Sequence, residues 1–217
     1  MKKFLTVIIL SLPLLLGLTA CQKNVDYFTY VSENRKSVYF YEDDTVTLKI
    51  YSVDKETPYC LDGARGDVSN VTEVYFSTEN TANEVEIELA GKGGEMSYLA
   101  VTRNFYLSFG EEVSGASIPV KVTVDGKTTE YEVLNVAEEG TIDGKTALKC
   151  VEEYDGETFN SLTENGVFKG EIIVRLLYDE GCYYYVGVCN RDRQVHAYLV
   201  NGTDGRIIAE RESEAEK

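Results

Sequence analysis

Apolar and polar residues alternate with a period of two along much of this chain. Val46, Leu48 and Ile50 alternate with Thr45, Thr47 and Lys49, and Val85, Ile87 and Leu89 alternate with Glu84, Glu86 and Glu88. That period puts one side of a strand in a core and the other in water. Segments 25–31, 37–42, 71–78 and 98–109 are rich in Tyr, Phe, Val and Thr and read as further strands. In 118–133, Asp125-Gly126 is a two-residue turn signal, because both central positions of a type I′ turn need positive φ. That turn sets Val122 against Thr129 and Val120 against Tyr131 on the side of Val124 and Val133. Lys121 then faces Glu130 and Thr123 faces Thr128 on the other side. Turn, burial and charge agree on one register.

The number of short strands within 25–136 predicts an antiparallel sandwich that resembles immunoglobulin-like domains in architecture. Residues 137–146 are acidic and contain Gly140 and Gly144, and they form the expected linker. From Thr146 to Tyr154 a short helix is expected, with Ala147, Leu148, Cys150 and Val151 on one side. A loop or helical turn follows to Asn165, then strands at 167–178, 182–189, 194–201 and 205–210. A loop at Asn190–Arg193 sets Val188 opposite Val195, Val186 opposite Ala197 and Tyr184 opposite Leu199. The other face then holds Tyr183, Tyr185, Cys189, His196, Tyr198 and Val200. Glu210–Lys217 reads as charged and frayed, with 213–217 as a tail.

Tyr184-x-Val186-x-Val188 and the run Ala197–Ile208, with its Gly202-Thr203-Asp204-Gly205 turn, are similar to PepSY domains. The resemblance covers 147–212, a small α+β unit of one helix and an antiparallel meander. It implies a role outside the membrane in binding or restraining peptidases, or in local peptide handling. Asn201 stands where that family usually has Asp.

The start of the chain has an address of its own. Lys2 and Lys3 precede an apolar run, Phe4–Leu18, of the length of a secretory core, and Leu18-Thr19-Ala20-Cys21 follows. Small residues before a cysteine resemble the lipobox of bacterial lipoproteins. The resemblance implies a signal peptide at 1–20, cleavage between Ala20 and Cys21, a diacylglyceryl group on Cys21 and a short tether at 21–24. A transmembrane anchor with an incidental cysteine is the competing reading, and Pro13 in mid-run weighs against it. Two acyl chains suffice for stable attachment.

Charge narrows the partners. Removing 1–20 takes away two lysines and no acid, so the net charge moves from −16 to −18. Such a chain gains nothing from phosphate backbones, which excludes nucleic acid, and anionic headgroups repel it. The lipid, not surface charge, is the expected membrane attachment. With Cys21 acylated, Cys60, Cys150, Cys182 and Cys189 remain, as two disulfides or as free thiols. Cys182 and Cys189 end one strand, roughly 23 Å apart, which disfavours pairing them.

Candidate chemistry is sparse. Gly140-Thr-Ile-Asp-Gly144-Lys145-Thr146 has three residues where a phosphate loop needs four, and reads as a helix cap. His196 is the single histidine, which excludes a multi-imidazole metal site. The register above makes it a diagonal neighbour of Cys189, but a Cys–His dyad also needs an orienting group and an oxyanion loop. Glu42-Asp43-Asp44, Glu111-Glu112, Asp62, Asp67 and Glu73 lack calcium-loop spacing, leaving only a weak loop-built calcium site open. Neither a metal nor a cofactor is expected. Tyr183, Tyr185, His196 and Tyr198 form the expected binding surface, since Tyr is common at hot spots. The expected function is a lipid-anchored, non-enzymatic surface protein that binds a protein or peptide. The alternatives are a PepSY-like regulator of an extracytoplasmic peptidase and a cell-envelope hydrolase.

Overall fold

The computed structural model describes residues 25–137 and 140–214. The expected signal segment, Cys21 and the 21–24 tether lie outside the described residues. Among the described residues no helix is long and apolar enough to cross a membrane.

The fold is mainly β, with strands that are nearly all antiparallel. Strands β1 (Val31–Glu42), β2 (Val46–Glu56), β3 (Val68–Thr78) and β7 (Asn104–Gly110) lie side by side, with the short β6 (Ser97–Leu99) at the edge. From the other side of β1 the sheet continues through β9 (Lys127–Asn135), β8 (Ser117–Val124), β4 (Val85–Leu89) and β5 (Lys92–Glu95). These strands curl into a nearly closed, barrel-like sheet. Its inside is filled by the apolar half of each alternation, including Leu48, Ile50, Val74, Phe76, Ile87, Val120, Val122 and Val133. The β8–β9 hairpin has the register read from sequence, with Val122 opposite Thr129 and Lys121 opposite Glu130. Asp125 and Gly126 both have positive φ, +47° and +81°.

The second half starts with α1 (Gly144–Tyr154) and α2 (Gly156–Ser161), then the two-residue pair β10 (Thr163–Glu164) and β11 (Val167–Phe168). A meander follows: β12 (Glu171–Tyr178), β13 (Cys182–Cys189), β14 (Gln194–Asn201) and β15 (Ile207–Glu214). Ala147, Leu148 and Val151 of α1 pack on Val174, Val186, Tyr198 and Val200. The Asp143 carboxylate accepts the Thr146 N–H at 2.7 Å and so caps α1. Asp143→Ala is expected to cost about 1 kcal/mol in urea unfolding, the usual loss for an N-cap.

The two halves share a strand. The first part of β1 pairs in parallel with β12, Asn34 beside Val174 and Arg35 beside Arg175, while Tyr39 and Phe40 pair with β9. The segment 137–146 thus separates two cores but not two sheets.

Four local expectations need correcting. Of the strand expected at 25–31 only Val31, the first residue of β1, lies in a strand: Asp26 accepts the Phe28 N–H, and Tyr27–Tyr30 coil into a 3₁₀ turn that buries Tyr27. The run 98–109 breaks at Arg103, whose φ of +54° makes the β6–β7 turn. The strand expected at 205–210 runs to Glu214, pairing Glu212 with His196, so the charged stretch from Glu210 is an edge strand. Charge on an edge blunts further pairing.

The fourth correction moves side chains across a sheet. Arg193 is left-handed (φ +65°), and Asn190 bonds to Gln194 in both directions across the turn, by backbone N–H and by Oδ1. The β13–β14 loop therefore has three residues, not four. Val188 faces His196, Val186 faces Tyr198 and Tyr184 faces Val200. A slip of one residue turns every side chain of a strand to the opposite face.

Candidate functional face

That slip divides the expected binding surface. His196 and Tyr198 lie on the helix side of the sheet, while Tyr183, Tyr185 and Cys189 lie on the other. Cys189 and His196 are therefore not neighbours on one face. Burial, with the Glu171 charge next, pushes the Cys189 thiol up to about 11, so it stays protonated. His196 lines a groove of about 620 Å³ with Tyr198, Asp155, Thr158, Glu210 and Glu212. There the Tyr198 hydroxyl donates to Asp155 Oδ2 at 2.5 Å, and His196 Nδ1 stands 3.6 Å from Glu212. Cys60 is exposed, Cys150 half-buried and Cys182 and Cys189 buried, and all four carry free thiols.

The other expected sites are structural. The helix start after Gly140 is filled by the Asp143 cap. Asp43 closes its turn through the N–H groups of Thr45 and Val46, and Lys36 bridges Asp54 and Glu112. Among the described residues no three His, Cys, Asp or Glu side chains are grouped to hold a metal ion.

The densest chemistry lies on the wet side of the alternation, along β7, β3, β2, β1, β12 and β13. Tyr51, Tyr75 and Tyr106 alternate with the buried Ile50, Val74, Phe76 and Phe105, so they point out of the barrel. Tyr51 and Tyr75 lie with ring centroids 5.6 Å apart, and Tyr75 and Tyr106 with centroids 5.0 Å apart, in a three-strand ladder. The Arg35 guanidinium stands 3.8 Å over the Tyr51 ring, and its buried Nε has no hydrogen-bond partner among the described residues. Burial raises the pKa of all three tyrosines, and the Glu73 charge adds to it, so each keeps its proton.

Next to the ladder, fixed charges hold the surface in shape. Lys55 pairs with the buried Glu73 at 2.8 Å and stands 4.6 Å over the Tyr59 ring. Arg175 binds Glu33 with two N–H groups, at 2.6 and 2.7 Å, and donates to the Tyr59 hydroxyl at 3.2 Å. Burial pushes the Glu33 carboxyl up, but Arg175 and Lys55 outweigh it and leave Glu33 below its ordinary value. Tyr185 lies 5.8 Å from the Arg175 guanidinium.

The end of this face near β14 is covered by residues 57–67. Leu61 packs on Cys189, Val195, Ala197 and Tyr185. Glu171 Oε2 accepts three backbone N–H groups of that loop, from Asp62, Gly63 and Ala64, at 3.0 to 3.3 Å. Glu56 Oε1 accepts the Gly66 N–H, and Arg65 Nε donates to the Val31 carbonyl at 2.9 Å. Gly63 (φ +81°) lies so close to the β13–β14 turn that a Cβ would stand 2.6 Å from Arg191 N, so no larger residue fits.

Of this face, Tyr185 stands among the residues expected from sequence, and Tyr51, Tyr75, Tyr106, Arg35 and Arg175 do not. The alternation already put Tyr51 and Tyr75 on wet faces. That β3 would lie between β2 and β7, and join the rings, is a matter of topology. No protein-family model, curated protein or solved structure matches the chain.

Proposed function

We propose that this chain is a lipoprotein anchored through Cys21 outside a bacterial cell membrane, where it binds a protein or peptide without catalysing a reaction. The observation that carries the binding reading is the Tyr51–Tyr75–Tyr106 ladder beside Arg35. Three neutral phenols in a row give amphipathic contact area at low entropic cost, and Tyr and Arg are the residues most enriched at hot spots. Ion pairs at Lys55–Glu73 and Arg175–Glu33 hold the surroundings rigid, so little order has to be acquired on binding.

In this reading the barrel-like sheet is an immunoglobulin-like module whose closure brings two layers onto one core. The second half is PepSY-like, and α1 packed on the β12–β15 meander favours that alternative, in which the protein restrains a peptidase. Purified mature chain added to secreted peptidases should then change their rates.

The test of the main reading places a benzophenone amino acid at Tyr75 in the full chain in cells, with a control at Tyr154. The expected result is a severalfold stronger cross-linked adduct from position 75, lost when Tyr51 and Tyr106 are both changed to Ser. Equal or absent adducts at the two positions would refute the ladder as a binding face.

A further inference from the structure

The point where the chain enters the fold is held firmly. Val25 packs on the core of the second half, and Asp26 caps the 3₁₀ turn and pairs with Lys145 of α1 at 3.4 Å. Tyr27 is buried with its ring centroid 4.8 Å from that of Phe159 and 5.3 Å from that of Phe168. Its hydroxyl lies 3.3 Å from Thr163 Oγ1, and β1 begins four residues later. Residue 25 therefore cannot swing away from α1.

From Cys21 to Val25 the chain has four peptide steps, which span at most about 14 Å when fully extended. The fold is longer than that. β2 alone, with 11 residues, runs about 36 Å. A tether shorter than the molecule, attached at a rigid point, lets only one end come to rest at the attachment surface. Around that point Val25, Phe28, Lys145, Lys149, Glu152 and Glu153 line a shallow groove of about 360 Å³. Lys145, Lys149, Glu152 and Glu153 form one outer stripe of α1, since residues three and four apart share a helix face. With two lysines among its acids, this patch opposes anionic headgroups far less than the strongly acidic remainder of the chain. The groove is too small for two acyl chains, so the lipid stays in the bilayer.

We infer that the surface made by residues 25–28 and the outer stripe of α1 lies against the headgroups of the membrane that holds the Cys21 lipid. The inference rests on the acylation of Cys21 proposed above. The β8–β9 turn marks the opposite end. β1 runs from Val31 to its pairing with β9 at Tyr39, and β9 continues away from there back to Lys127.

The experiment uses full mature protein, acylated at Cys21, in vesicles of phosphatidylcholine and phosphatidylglycerol with a nitroxide on a fraction of the headgroups. In a Cys60→Ser/Cys150→Ala background, which leaves only the buried Cys182 and Cys189 thiols among the described residues, one fluorophore is attached at Lys149→Cys and, in a second sample, at Lys127→Cys. Both positions are exposed, so neither substitution threatens the fold. The expected result is severalfold stronger quenching at position 149 than at 127. Equal quenching, or stronger quenching at 127, overturns the orientation. A flexible Gly/Ser-rich insert of about 20 residues after Lys23, which can extend well beyond the length of the fold, should remove the difference, and its survival would refute the tether as the cause. Intact mass and vesicle flotation are measured first. A chain without the diacylglyceryl mass that fails to float counts against the anchor itself, separately from the orientation.

Discussion

Arg175→Met is expected to destabilise the protein by about 3–5 kcal/mol, the usual loss when one member of a buried ion pair is removed. Glu33 is 1% exposed, and Arg175 supplies both N–H groups that its carboxylate accepts at short range. With methionine at 175, Glu33 is left with Lys55 as its remaining cation, and its pKa should rise well above its present low value. The double variant Glu33→Leu/Arg175→Met should recover most of the loss, because no charge then remains to be desolvated. Urea unfolding of the single and double variants measures both. A single-variant loss below about 1 kcal/mol would place the pair with weak, solvated surface bridges.

The second large effect depends on pH. Glu171 is fully buried, and burial, with the Glu56 charge next, raises its pKa from 4.5 to about 7 against the pull of three backbone N–H groups. A carboxyl with a higher pKa in the folded chain than in the unfolded one binds a proton on folding. Its contribution is complete below about 4.5 and is lost as pH rises through about 7. The difference corresponds to about 3 kcal/mol. Glu56, also raised by burial and with its Oε2 unpartnered, works in the same direction. Glu171→Gln should therefore match the natural protein near pH 5 and exceed it in stability above pH 8, read from unfolding midpoints at both values. A natural protein that gains stability between pH 5 and pH 8, with the variant showing no advantage there, would contradict this account of Glu171.

How far the sequence could be read depended on the range of each interaction. Local signals worked where they were self-contained. Asp125-Gly126 fixes the backbone of its own turn, and the alternation around Val120 and Val122 fixes the faces, so that hairpin needed no distant information. The Asn190–Arg193 loop offered no such signal. Whether Arg193 adopts a left-handed φ depends on how Asn190 bonds across the turn, and that one dihedral decides which side His196 and Tyr198 occupy. Residues 32–36 of β1 are polar and show no alternation, because Glu33 and Arg35 meet partners from β12 and β2 rather than water. The tyrosine ladder was half legible for the same reason. Alternation gives the side on which a residue stands, and only strand order gives its neighbours.

The shared first strand also determines how force from the anchor would pass through the molecule. A pull on the N-terminal end runs along β1, whose bonds to β12, β2 and β9 lie across the direction of pull. Those bonds must fail together in shear rather than open one at a time. The load would be spread over both cores at once, and in a chain anchored and bound as proposed, drag on the partner would reach the anchor through this strand.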